Sequence, residues 1–70
     1  MEDKYSLIGV DGNAFSVMGY VSRALKREKL RDLVDEYRKK ATSSDYDNLL
    51  CVSIEYLDKA NEKAREIEED

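Results

Sequence analysis

The sequence predicts a mainly α domain, an α+β chain of order βααα in which one short N-terminal strand precedes three helices. Three observations carry that reading. Apolar residues recur at helical spacing in three separate stretches of the 70 residues. A single β-rich segment stands ahead of them. Turn and capping residues separate the stretches, and the chain holds no proline.

The strand comes first. Tyr5-Ser6-Leu7-Ile8-Gly9-Val10 is rich in β-formers, with Tyr5 and Leu7 on one side and Ile8 and Val10 on the other. That alternation predicts a strand over about 5–10. Asp11-Gly12-Asn13 follows as turn chemistry, where Gly permits positive φ and Asp or Asn can cap the next helix.

Helix one is predicted over about 14–27. Ala14, Val17, Met18, Tyr20, Val21, Ala24 and Leu25 fall on one broad arc at 100° per residue, with Ser16, Arg23, Lys26 and Arg27 opposite. Helix two, about 30–41, carries a narrower stripe of Leu30, Leu33, Val34, Tyr37 and Ala41. Thr42-Ser43-Ser44-Asp45 interrupts it and offers several N-caps, Ser44 with Asp47 approximating a capping box. Helix three, long and charged, is predicted over about 46–65 on a stripe of Tyr46, Leu49, Leu50, Ser53, Ile54 and Leu57. Residues 66–70 read as a frayed tail, because little apolar area rewards their ordering.

These elements make one domain spanning 1–70. A chain this short buries only about 60% of the surface it exposes when unfolded, and its single cysteine, Cys51, cannot form an internal disulfide. Well-packed helices or self-association are then the expected compensation. A lone strand needs backbone partners. The expectation is a homodimer in which the N-terminal strand pairs with its copy about a two-fold axis; the alternative is an extended arm laid over the helices. The short apolar runs predict no membrane span and no secretory leader, and the lone thiol fits a reducing cytoplasmic setting.

Charge is unevenly spread. Residues 19–41 hold eight Lys/Arg against four acids, a net +4, while residues 42–70 hold nine acids against three bases, a net −6. Such asymmetry suits helices that complement each other within the fold or across a dimer, or a nucleic-acid patch beside an acidic tail.

Catalytic constellations are hard to build from this composition. With no histidine in the chain, no Ser-His-Asp or Cys-His arrangement exists and the commonest general base is missing. Cys51 shares a helical face with Asp47, Glu55, Asp58 and Glu62, the opposite of the cationic setting an activated thiolate needs. Asp11-Gly12-Asn13 and Asp45-Tyr46-Asp47 fall short of a calcium loop and sit where caps are required. Gly9-Val10-Asp11-Gly12 lacks the glycines of a dinucleotide fingerprint and the Gly-Lys-Ser/Thr of a phosphate loop. The expectation is a non-enzyme without cofactor or metal.

Two surfaces stand out for binding. Phe15, Gly19 and Ser22 lie together on one flank of helix one. Glycine inside a helix costs roughly 0.8–1 kcal/mol against Ala, so Gly19 suggests close approach of another backbone, either the chain's own strand or tail or a partner helix. Phe15 would anchor the second case. The other surface is the basic region 23–40, with Arg23, Lys26, Arg27, Lys29 and Arg31 around the connection between helices one and two, as a helix-turn-helix would place phosphate contacts. The net charge of −4 argues against it.

Two blocks, Gly9-Val10-Asp11-Gly12-Asn13-Ala14-Phe15 and Ala41-Thr42-Ser43-Ser44-Asp45-Tyr46-Asp47-Asn48-Leu49-Leu50, give the stretch from about 7 to 57 a resemblance to a family of short uncharacterised bacterial and phage proteins. Their shared patterns are G-x-D-G-N-A-F and A-T-S-x-D-Y-D-x-L-L. The resemblance brings no catalytic residues. It implies that the two blocks lie close together as two helix entrances, and the tail beyond about Leu57 departs from it.

The function these readings predict is a protein-interaction module, self-associating and of mobile-element origin, with an unidentified protein partner. The alternative is a small nucleic-acid-binding regulator using region 23–40.

Overall fold

The computed structural model describes residues 3–68, with side chains through Glu66. Three α-helices, α1 (Ala14–Arg27), α2 (Val34–Ala41) and α3 (Tyr46–Glu68), follow one another, with a 3-10 turn at Arg31–Leu33 leading into α2. α3 packs against both α1 and α2. No strand occurs among the described residues, so the βααα reading is corrected to an all-helical one.

The physical reason lies in residues 5–10. The Asn61 side chain replaces a neighbouring strand: its Oδ1 accepts the Tyr5 N–H at 2.8 Å and its Nδ2 donates to the Tyr5 carbonyl at 3.0 Å. The Ser6 N–H donates to the Tyr20 hydroxyl and the Ile8 N–H to the Ser6 hydroxyl. The chain then turns back on itself, with the Val10 N–H bonded to the Leu7 carbonyl and Gly9 at φ +85°. Positive φ at the third residue is what a type II turn requires and glycine supplies. Tyr5 is buried while Ile8 is 92% exposed, so the alternating pattern reflects one anchoring ring, not a pleat. The N–H groups of Tyr5, Ser6, Ile8 and Val10 and the carbonyls of Tyr5 and Leu7 are thus bonded within the chain, and residues 5–10 form a turned arm in place of the expected strand.

α1 occupies the expected residues. Asn13 caps it by accepting the Phe15 and Ser16 N–H groups, and Val17, Val21, Ala24 and Leu25 form its buried face. Its C-terminus closes as a Schellman motif: Leu30 N–H bonds to the Leu25 carbonyl, Lys29 N–H to that of Lys26, and Lys29 takes φ +64°. That left-handed residue diverts the chain, which is why residues 30–33 form no α-turn and α2 starts later than its apolar stripe suggested. α2 buries Val34, Tyr37 and Ala41.

α3 is capped by Asp45, whose Oδ1 accepts the Asn48 N–H at 3.0 Å, in place of the Ser44 and Asp47 box. The Ser43 hydroxyl instead donates to the Lys40 carbonyl at the end of α2. α3 continues to Glu68; of the expected frayed tail, residues 69 and 70 lie outside the described residues. Its buried face is Leu49, Ser53, Tyr56, Leu57, Ala60, Asn61 and Ala64, whereas Ile54 and Tyr46, both assigned to the stripe, are 53% and 43% exposed.

A small core is supplemented by polar links. Tyr37 and Tyr56 meet at 5.3 Å between ring centroids, and the Tyr37 hydroxyl pairs with the Ser53 hydroxyl at 2.7 Å. The Tyr56 hydroxyl donates to Glu36, and that of Tyr5 to the buried Glu28, which also receives Lys4 Nζ at 3.3 Å. Burial, then the neighbouring carboxylate, pushes the Tyr5 and Tyr56 hydroxyls up to about 12, and burial raises Tyr37 as well.

Candidate interaction surface

The outward face of α1 carries the residues the sequence singled out. Phe15, Gly19, Ser22 and Lys26 recur at four-, three- and four-residue intervals, so they form one stripe along the helix. Phe15 heads it at 83% exposure. Around Gly19, a Cβ would meet nothing within 4 Å. Among the described residues neither the N-terminal arm nor α3 comes within 4 Å of that Cβ position, and residues 69 and 70 of the tail lie outside the described residues.

These side chains line a cleft of about 250 Å³ together with Met18, Arg23 and Arg38. Arg38 comes from α2, and packing of α2 beside α1 brings it to the rim. Phe15, Met18 and Gly19 give the lining its apolar part, and Ser22 with the cations Arg23, Lys26 and Arg38 gives the rest. Sequence reading missed Arg38 and Met18 as site residues. Arg38 belonged to the basic region, but only the helix–helix packing shows that it faces α1.

The cations proposed for nucleic acid are brought together only in part. Arg23, Lys26, Arg27, Lys29 and Arg31 are all exposed. Arg23 and Lys26 belong to the Phe15 cleft, Lys26 also borders a shallow depression with Lys29, Arg31 and Asp32, and Arg23 and Arg27 face Lys4 and Tyr20 across a third. Among the described residues the ion pairs are Lys4 with Glu28 and Arg65 with Asp3. The basic residues of α1 and α2 therefore have no carboxylate partner there, and the charge asymmetry of the sequence is not resolved within the described fold.

The two sequence blocks do meet. The Tyr46 hydroxyl, at the start of α3, donates to the Gly12 carbonyl just ahead of α1. A Cβ at Gly12 would lie 3.4 Å from that hydroxyl oxygen, an ordinary van der Waals contact, so the approach does not itself require glycine. Between the helix entrances lies a cleft of about 280 Å³ bordered by Ala14, Met18, Ala41 and Tyr46. Three of its polar side chains serve the fold: the Thr42 hydroxyl donates to the Arg38 carbonyl, Asp45 accepts the Asn48 N–H, and Tyr46 is bonded to Gly12.

Cys51 is exposed. Among the described residues no group of three or more Cys, Asp or Glu side chains could hold a metal ion, and no helix is long and apolar enough to cross a membrane. No protein-family model, no curated protein and no solved structure matches the chain, so the α1 cleft stands on its geometry alone.

Proposed function

We propose that the protein is a non-enzymatic, self-associating protein-interaction module of the cytoplasm that docks a partner on the outer face of α1. The observation that carries this is Phe15, 83% exposed at the head of a stripe whose glycine leaves a second backbone room to approach. Burying a phenylalanine recovers about 1.5–3 kcal/mol, and aromatic anchors set in a charged rim are typical of binding hot spots. Arg23, Lys26 and Arg38 would orient an acidic partner. A mobile-element origin belongs to the same proposal.

The test compares proteins captured by the wild-type chain with those captured by Phe15→Ala and Gly19→Leu. The reading expects the same partner to be lost from both variants while far-UV CD is unchanged. Retention of that partner by both would place its binding on a different surface.

A second reading has its own observation. Exposed Arg23, Lys26, Arg27, Lys29 and Arg31 without described ion-pair partners could neutralise phosphates, making the protein a small nucleic-acid-binding regulator. Titration of labelled duplex at two salt concentrations tests it. Salt-sensitive binding lost in Arg27→Glu with Lys29→Glu would favour it, and absence of binding at low salt would remove it.

A further inference from the structure

The α1 cleft has a complement within the same chain. On α3, Ile54, Glu55, Asp58 and Glu62 are all exposed and share one outward face. Ile54, at 53%, is the apolar member and the acids follow it toward the C-terminus. The ion pair that α3 makes among the described residues is Arg65 with Asp3 of the arm, so these acids, like the cations of α1, have no described internal partner.

We propose that the occupant of the α1 cleft is the acidic face of α3 of a second copy of this chain. The inference rests on reading that cleft as a docking surface and names what docks there. Spacing supports it as well as sign. On α1 the apolar anchor Phe15 precedes Arg23 by eight residues, and on α3 Ile54 precedes Glu62 by eight. At 1.5 Å per residue both intervals span about 12 Å. Helices laid side by side in the same direction therefore set Phe15 against Ile54 and Arg23 against Glu62, while Lys26 falls opposite Arg65, whose charge Asp3 already meets. Gly19 meanwhile faces Asp58 and lets the backbones close.

Two chains of net charge −4 repel at long range. The Debye length at physiological salt is only about 8 Å, so the facing patches govern the contact. Raising salt screens the attraction of the patches and weakens the complex. Exposed charges and two partly buried apolar anchors make a weak complex, with Kd on the order of 10–100 µM.

The experiment is analytical ultracentrifugation of the full chain and two charge-reversed variants over about 5–500 µM, a range bracketing that Kd. Arg23→Glu with Lys26→Glu makes both faces acidic, and Asp58→Lys with Glu62→Lys makes both basic. All four positions are exposed, and CD checks that each variant keeps its helicity. Wild type should self-associate, and each variant alone should lose at least about tenfold in affinity, or roughly 1.4 kcal/mol. An equimolar mixture of the two variants should recover a mixed complex. Phe15→Ala should also weaken wild-type association.

A wild type that stays monomeric throughout, or one whose association both reversals leave unchanged, overturns the proposal. A monomeric wild type that binds a helical peptide bearing one Ile and three Glu, in a Phe15-dependent way, would overturn the second copy as occupant while upholding the cleft as a docking surface. Loss of that peptide binding too, with captured partners unaffected by Phe15→Ala, would remove both readings.

Discussion

Replacing Asn61 with alanine isolates the contact that turns residues 3–10 into part of the fold. Asn61 is 3% exposed and its amide makes two backbone bonds to Tyr5, of 2.8 and 3.0 Å, across a sequence separation of 56 residues. Each such bond contributes about 1 kcal/mol net, and an unpaired buried backbone group costs about 1–3 kcal/mol. The arm has a way to limit that loss, since it can peel away and rehydrate. Doing so exposes the Tyr5 ring, worth about 1.5–3 kcal/mol, and the buried Glu28 that its hydroxyl contacts. Either route predicts a destabilisation of about 2–3 kcal/mol, and for a domain of this size roughly 10–20 °C in Tm at about 4–8 °C per kcal/mol. Thermal CD measures the first quantity, and hydrogen exchange at the Tyr5 amide reports whether the arm has left. Asn61→Asp separates the bonds further, because it retains an acceptor for the Tyr5 N–H while losing the donor to its carbonyl. A variant Asn61→Ala within about 0.5 kcal/mol of wild type, with the Tyr5 amide still protected, would refute the claim that this side chain substitutes for a strand partner.

Other perturbations test the remaining structural claims. Lys29→Gly relieves a non-glycine residue at φ +64°; setting about 1–2 kcal/mol of left-handed strain against about 0.5–1 kcal/mol of glycine entropy, it should stabilise by about 0.5–1 kcal/mol, read as a higher urea midpoint at unchanged slope. Phe15→Ala should leave stability within about 0.5 kcal/mol because the ring is 83% exposed, whereas Leu25→Ala, fully buried, should cost about 2–5 kcal/mol in the same denaturation assay. Alkaline titration should destabilise the fold. The folded hydroxyls of Tyr5 and Tyr56 stand at about 12 against an ordinary 10.0, so their stabilisation is complete below pH 10 and disappears as pH rises to about 12. Tyrosinate absorbance and far-UV CD should therefore show part of the ionisation arriving together with unfolding; full ionisation by about pH 11 with helicity intact would contradict it.

α1 was legible because its buried residues, Val17, Val21, Ala24 and Leu25, are apolar at clean helical intervals and Asn13 is a strong cap. The α2 stripe was legible too, but not its start. Leu30 looks like a first helical residue by polarity, yet the turn that displaces it depends on Lys29 adopting a conformation that carries no mark in its residue type. On α3 the errors are of phase, the stripe having been drawn too far toward Ile54 and Tyr46. Ile54 lies about 100° from the buried Ser53, and the core instead takes Tyr56 and Asn61, whose polar atoms find partners in Glu36 and in the arm. The arm itself was misread because its β-rich composition is a local signal, while its backbone partners come from residues far along the chain. Gly9 was the one local sign that a turn, and not a strand, lay there. At the surface, Phe15, Gly19 and Ser22 could be grouped from helical geometry; Arg38 could not, since its place beside them depends on how α2 packs.

The same division explains why stability and binding should separate cleanly in this protein. A domain of this size cannot rely on apolar burial alone, and here the hydroxyls of Tyr5, Tyr37 and Tyr56 are bonded inward to Glu28, Ser53 and Glu36. Glu28 and Asn61, two of the three buried polar side chains among the described residues, both act on the arm and thereby clamp the C-terminal end of α1 to α3. The charges used for that clamp, Lys4 with Glu28 and Arg65 with Asp3, involve the arm in both cases. Arg23, Lys26 and Arg38 on one side and Glu55, Asp58 and Glu62 on the other take no part in the described ion pairs, and all six are exposed. Surface charges outside such networks usually change stability by less than about 0.5 kcal/mol. Reversing them should therefore leave the helices standing and alter only what the molecule meets, whereas breaking the Asn61 clamp should loosen the fold without touching the α1 cleft.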